Sequence, residues 1–398
     1  MRLMHISDLH LGKRLCETDL SDEIEHALFS EILGRIFEEV SEEKPIDALL
    51  ITGDVFDKSL PSADAEKTFG KLLAKAIKLG MKVFCISGNH DSARRLAAFE
   101  KMLSEVGVYI SREFSADEPV RVEQLGDFDI ALMPFIATAD VCAAYPDEDI
   151  PDITAAVKTV FRHAGIPSER PCILLAHETF GNRVVGGEDG INAEVLDGFA
   201  YTALGHYHMS KNITERARYC GTPVCYSKDE IISSPQKSCD IIDIEPNGEL
   251  AVTQKEIIPQ HKFRIIKDSF ANLMSDKYPE TEDYCYITVS DFEGVSGIQS
   301  YVRKKFVNMI SLNYSNNDKT ENNDDVVDDD DFSFNDEFGM FYKKVTGNRI
   351  DEKLLKTAEE IFEQTEKATS DGMQIELINS TDWVDDDEII SGGNGDDN

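Results

Sequence analysis

Five short segments carry residues able to bind a metal ion. They are "SDLH" with Asp8 and His10, "GDVFD" with Asp54 and Asp57, "GNHD" with Asn89, His90 and Asp91, "AHETF" with His177, and "GHYH" with His206 and His208. Alone, each has a commoner explanation: an aspartate after a strand caps a helix or closes a turn, and a histidine there is a packing or surface residue. Together, leaving Asp57, His90 and Asp91 aside, they supply two aspartates, one asparagine and four histidines. Neutral imidazoles and carboxylates suit divalent transition metals. The set is too large for one tetrahedral ion, and the economical arrangement is two ions ~3.5–4 Å apart sharing a carboxylate. Such a pair clamps a phosphate ester, generates hydroxide near neutral pH and stabilises the charge of in-line attack.

These segments must be brought together by the elements before them. "RLMHIS", "DALLITG", "KVFCISG", "DIALMPF", "PCILLAH" and "AYTALGH" are short apolar runs of the kind buried strands show. Amphipathic stretches at 22–40, 63–79 and 93–103 lie between or after the first three, which is the grammar of a layered α/β domain. Ligands in open α/β sheets bind beyond the carboxyl ends of the strands, where these polar segments sit. Asp8 and His10, two apart, point the same way if the strand geometry continues. "SCDIIDIEPNGELAVTQKEI" predicts a hairpin turning at Asn247-Gly248.

Beyond about residue 260 the pattern changes to "FRII", "DYCYITVSD", a helical "GIQSYVRKKFVNMI" and "SLNYS", a small α+β module. Six of the eight residues from Asp324 to Asp331 are aspartate, a composition that cannot bury enough surface to fold. Helical periodicity returns with Phe338, Phe341, Tyr342, Leu354, Leu355, Ile361 and Phe362, on faces that need a partner or the body of the protein to cover them. The expected organisation is therefore an α/β domain over 1–260, the small module over 261–314, an acidic disordered linker over 315–334, helices over 335–368 and an acidic disordered tail over 369–398.

The 398 residues carry a net charge of −36. From residue 315 onward there are 25 acidic and 7 basic residues, and the first 314 hold 51 and 33, so each part is at −18. A body this acidic would grip a polyanion only through metal ions or a more basic partner. The eight cysteines stand singly, with no CxxC pair, and are expected to be reduced. With no long apolar run, no membrane association is expected, and the chain is expected to be soluble and cytoplasmic.

In order and wording, "DLH", "GDVFD", "GNHD", His177 and "GHYH" resemble the calcineurin-like metallophosphoesterases. More narrowly, "MRLMHISDLHLGK", "GDVFDKSLPS", "SGNHDSARRL", "YCGTPVCYSKDE" and "FYKKVTGNRIDEKLLKTAEEIFE" are similar to the SbcD family of nuclease subunits of bacterial SbcCD complexes. The likeness covers about 1–314 and 335–368. It implies an α/β fold with a layered β-sandwich metallophosphoesterase domain flanked by helices, a small α+β capping domain and C-terminal partner-binding helices. It implies two Mn2+ ions, with Mg2+, Fe, Zn or Co also suited to the donors. Asp8, His10, Asp54 and His208 would hold one ion, and Asp54, Asn89, His177 and His206 the other, with Asp54 the bridge. His90 would face the scissile phosphate and serve the leaving 3′-oxygen, Asp91 would orient His90, and Asp57 stands where archaeal relatives often carry histidine.

The partners implied are DNA, an SbcC-type coiled-coil ATPase bound through 335–368, and a second copy of the chain within a heterotetramer. The implied activity is exonucleolytic on double-strand ends and endonucleolytic on single strands or hairpins, in DNA repair, recombination and replication. "RKKF" at Arg303–Phe306 is a possible phosphate contact or a solvated helix face. The rival enzyme is a phosphoesterase for a small phosphate ester or a phosphoprotein. Protein phosphatases of the superfamily usually place an arginine after the second motif, where Lys58-Ser59 stands here. A non-catalytic scaffold for the ATPase is disfavoured because every ligand position and His90 is filled.

Overall fold

The computed structural model describes residues 1–167, 169–181, 190–290 and 298–315. The linker expected at 315–334 (apart from Ser315), the helices at 335–368 and the tail at 369–398 lie outside the described residues. Two six-stranded sheets dominate. The first runs, in spatial order, Leu250–Ile257, Lys237–Ile244, Arg2–Ile6, Ala48–Thr52, Lys82–Ile86 and Val108–Ile110; the second runs Lys211–Asn212, Ala217–Tyr219, Tyr201–Gly205, Cys172–His177, Phe128–Leu132 and Arg121–Leu125. The central strands of both are parallel; antiparallel pairs close both edges of the second sheet and one edge of the first, whose other edge strand, Val108–Ile110, pairs in parallel.

Ala48–Thr52, Phe128–Leu132, Cys172–His177 and Tyr201–Gly205 are buried at every position. Their sequences are largely apolar rather than alternating because both faces of a parallel sheet are covered. The alternation of side chains along each strand assigns the two covers. Leu3, Leu50, Phe84, Ile130, Leu132, Ile173, Leu175 and Ala203 meet between the sheets. Their neighbours on the first sheet, Met4, Leu49, Ile51 and Cys85, turn outward to the helices. On the second sheet Ala131, Leu174, Ala176 and Leu204 do the same. The order is helix, sheet, sheet, helix, the layered sandwich expected from the sequence.

The outer helices follow from local chemistry. Ala63–Lys78 starts at Ser62, whose hydroxyl accepts from Ala65 N at 3.2 Å, with Asp64 and Glu66 in the first turn and Lys75 and Lys78 in the last. Its buried face is Ala65, Phe69, Leu72, Leu73 and Ala76, a helical spacing. The 22–40 stretch is helical from Ser21 to Ser41, with π winding over His26–Ile36. The continuous helix expected at 93–103 is two short ones, Ala93–Leu96 and Glu100–Ser104. Residues 97 and 99 leave helical dihedrals, and Glu100 turns inward to Arg112 and Arg121. Ile153–Ala164, on the other flank, went unread in the sequence although it is well signalled. Asp152 caps it, accepting from Ala155 N at 2.7 Å, and Gly165 ends it at φ +65°.

The Asn247-Gly248 hairpin forms as expected, Gly248 at φ +92° donating to Glu245 O at 2.9 Å. Phe263–Asp268, Tyr284–Val289 and Met309–Tyr314 form a separate parallel sheet. Its own core includes Ile266, Ile287, Val302 and Phe306, while Tyr284 and Ile310 join the helix-covered core of the first large sheet. All eight cysteines are free, six of them buried. Among the described residues no helix is long and apolar enough to cross a membrane.

Candidate metal centre

Parallel strands in both sheets end at one rim, and the five segments follow those ends. Cross-sheet hydrogen bonds pin the rim together: His177 Nδ1 donates to Thr52 O at 2.7 Å, and His206 N donates to the Asp8 carboxylate at 3.0 Å. This close approach is possible because Gly205 precedes His206. A Cβ at Gly205 would run into Thr52 O, Ser7 Oγ and His177 Nδ1. Asp8, His10, Asp54 and His206 have φ of +52°, +43°, +46° and +93°. Such backbone costs of order 1–3 kcal/mol per residue and persists where surrounding structure over-determines it. The strain aims the four side chains inward.

Every proposed ligand lies in this cluster. Asp8, His10 and His208 offer ligand atoms within 4.8 Å of one another, as do Asp8, Asp54 and His177. Asp54 Oδ2 lies 3.7 Å from His10 Nε2 and 3.4 Å from His177 Nε2, between the two groups. Asn89 Oδ1 is 3.1 Å from both His177 Nε2 and His206 Nδ1. Asn89 is exposed and His90, His206 and His208 are half-buried, so the centre opens to solvent.

The donor chemistry fits cations. A carbonyl or carboxylate only accepts, so the ring nitrogen facing it must carry the proton. His177 gives its Nδ1 proton to Thr52, leaving a lone pair on Nε2. In the neutral ring that lone pair meets two more acceptors, Asn89 Oδ1 and Asp54 Oδ2, so the contact is satisfied only by a second proton or by a cation. His208 gives Nδ1–H to Glu230 Oε1 at 2.9 Å, and its bare Nε2 faces His10 Nε2 at 3.2 Å. A proton on His10 Nε2 would satisfy that contact only by turning a lone pair at Nδ1 toward the Asp57 carboxylate, 3.7 Å away. Two sets of converging acceptors ask for two cations, which a pair of divalent ions supplies.

Electrostatics agrees. Burial alone would lower His177, but Asp54 and then Asp8 push it up to about 10. Burial of Asp54 is likewise outweighed, by His177 and His10, and its carboxyl is held below the usual range. His206 is driven down to about 3 by burial and the charge on His177. Positive charge is thus favoured at His177, beside Asp54, and also at His208, which burial would lower but Glu230 and Asp8 raise.

His90 Nδ1 lies 3.1 Å from the main-chain oxygen of Asp57 and donates to it. Nε2 is then the atom that can take or give a proton. Asp91, expected to orient His90, does something else. Its carboxylate accepts from Val55 N (3.0 Å), Phe56 N (2.9 Å) and Gly88 N (2.9 Å), clamping the second motif loop to the third. Backbone donors presented in a fan outcompete a single ring nitrogen for one carboxylate. The orienting group for His90 is Asp57, whose side chain also meets Lys13 Nζ at 3.2 Å. Glu230, the last residue of "YCGTPVCYSKDE", has no role assigned from the sequence. A faint signal existed, since Ser227 and Glu230 stand three apart at the start of a helix, and Ser227 Oγ does accept from Glu230 N.

A family model described as calcineurin-like phosphoesterase matches residues 1–210, just over half of the sequence, and the chain belongs to that family. Divalent metal use is the family's implication, and the donor set above is suited to it. Among curated proteins the chain is similar to three that share one name, that of the SbcD component of the nuclease SbcCD. It is 31% identical over 265 residues to that of Rhodobacter capsulatus, covering 58% of this chain and 64% of that one. It is 27% identical over 390 residues to that of Bacillus subtilis (89% and 96%) and 24% over 341 to that of Staphylococcus epidermidis (81% and 87%). The chain thus spans just under two thirds of the first relative's length and most of the other two.

Proposed function

We propose that the protein is a two-metal DNA nuclease, the SbcD-type subunit of an ATP-regulated repair complex. The observation that carries the reading is the pair of lone-pair clusters flanking Asp54, with His90 beside them. Asp8, His10, Asp54 and His208 would hold one ion, and Asp54, Asn89, His177 and His206 the other. Mn2+ is the proposed metal. When bound, the ions polarise the phosphodiester and supply the nucleophile at neutral pH. His90, its Nδ1 proton given to Asp57 O, presents Nε2 to the leaving 3′-oxygen and donates the proton it needs.

The substrates are duplex ends, cut exonucleolytically, and single strands or hairpins, cut endonucleolytically. The net charge of −36 makes the chain on its own a weak DNA binder, and an SbcC-type ATPase engaged through 335–368 adds basic surface. The 261–314 module helps present DNA. Leu60, Phe99, Met102 and Val106, each more than half exposed, form the contact with a second copy. The test is cleavage of a 3′-labelled duplex with Mn2+, alone and with the ATPase and ATP. Chelator-sensitive nucleotide release, accelerated by the ATPase, is expected. Hydrolysis of small phosphate esters at rates that DNA never matches would overturn the reading in favour of the rival phosphoesterase.

A further inference from the structure

Glu230 is 5% exposed and ends the "YCGTPVCYSKDE" segment, with no role read from the sequence. Oε1 accepts from His208 Nδ1 at 2.9 Å. Oε2 accepts from Thr222 Oγ1 at 3.1 Å and pairs with Lys237 Nζ, itself 7% exposed. The backbone of His208 is held at the same place, its carbonyl accepting from Thr222 N at 3.2 Å and Lys237 Nζ at 3.4 Å. A buried ion pair is poor value as a source of stability, since apolar groups of the same volume do as well or better. Orientation is what this one provides. With the Nδ1 proton committed to Glu230, the neutral ring of His208 turns its lone pair toward His10 and Asp8, where an ion would bind.

We propose that Glu230, anchored by Lys237 and Thr222, is a positioning residue for the metal centre, selecting the His208 tautomer and ring angle that bind one of the two ions. This rests on the metal reading above. It predicts an asymmetric defect, because the His177 and His206 rings depend on Thr52 and Asn89 instead.

The test is Mn2+ titration of the full chain by calorimetry and electron paramagnetic resonance. The E230L/K237M variant removes both charges together, leaving no uncompensated buried ion, and the melting of its metal-free form reports folding. One of the two Mn2+ sites is expected to weaken 10–100-fold, with the other changed less than about twofold. E230Q/K237M restores an acceptor for His208 and is expected to recover most of the loss. Two wild-type sites in E230L/K237M, or an equal loss at both, would overturn the proposal, as would failure of the glutamine to rescue. Nitrogen-15 NMR of the wild-type metal-free histidines needs no variant: neutral His208 protonated at Nδ1 is expected, and a neutral ring protonated at Nε2 refutes it. A wild type that binds fewer than two Mn2+ ions defeats the metal reading itself, and is recognised before any variant is made.

Discussion

Replacing Asp91 separates a structural clamp from a catalytic helper. Its two oxygens accept three backbone hydrogen bonds, Oδ2 from Val55 and Gly88 and Oδ1 from Phe56, and all three donors belong to buried residues. In Asp91→Ala the three N–H groups lose their partner. An unsatisfied buried donor costs ~1–3 kcal/mol, so the loss is about 3 kcal/mol or more, a large part of the 5–15 kcal/mol of a typical domain. Asp91→Asn keeps one acceptor oxygen. Placed at Oδ2 it preserves two bonds and sets an amide against Phe56 N, for a loss of about 1–3 kcal/mol. Because the freed loops carry Asp54 and Asn89, Mn2+ affinity should fall together with stability. Urea unfolding and calorimetric Mn2+ titration of the two variants measure both. If Asp91→Asn cleaves DNA orders of magnitude more slowly with stability and Mn2+ binding intact, Asp91 acts in the chemistry and the clamp argument is wrong.

Other expectations are equally concrete. His90→Ala should still bind two Mn2+ ions while cleavage falls ~10²–10⁴-fold, the range for a lost proton donor; a missing ion in the titration would make His90 a ligand. Gly205→Ala drives a Cβ into Thr52 O and Ser7 Oγ, so the variant should lose both the rim geometry and Mn2+ binding, read by titration and thermal melting. Burial holds His5 down at about 3, against an ordinary 6.5, so the unfolded chain takes up a proton that the folded one refuses. Stability from this group is full above 6.5 and is lost as pH falls toward 3, at about 1.4 kcal/mol per unit within that window. The urea midpoint of metal-free His5→Gln should accordingly drop less between pH 6 and 5 than that of the wild type. Phe99→Lys with Met102→Lys should give a monomer by sedimentation, and an unchanged dimer would move the self-contact elsewhere.

Much of this site was legible because its residues announce themselves locally. An apolar run such as "DALLITG" or "PCILLAH" is a buried strand wherever it packs, and a polar group just after it can only stand at the sheet's rim. The side-chain types then name the chemistry, since four histidines with two aspartates and an asparagine have few uses other than binding cations. The helix at Ile153–Ala164 was legible too, from its cap and terminal glycine.

Partnership was not legible, because it is settled by which loops the two sheets bring into contact. Nothing local tells whether Asp91 faces the ring beside it or three amides, two of them more than thirty residues earlier. The same holds for Glu230, which reaches His208 across twenty-two residues, and for His177, whose proton is fixed by the carbonyl of Thr52 on the opposite sheet. The types of the proposed ligands and their place at the strand ends were thus determined by the sequence alone. Which ring nitrogen faces the cluster, which carboxylate braces a backbone and which lies between the histidines, and the positive φ that aims Asp8, His10, Asp54 and His206 were decided only in the folded molecule. Hydrogen bonds and backbone strain of this kind are long-range properties, fixed when two sheets pack and not before.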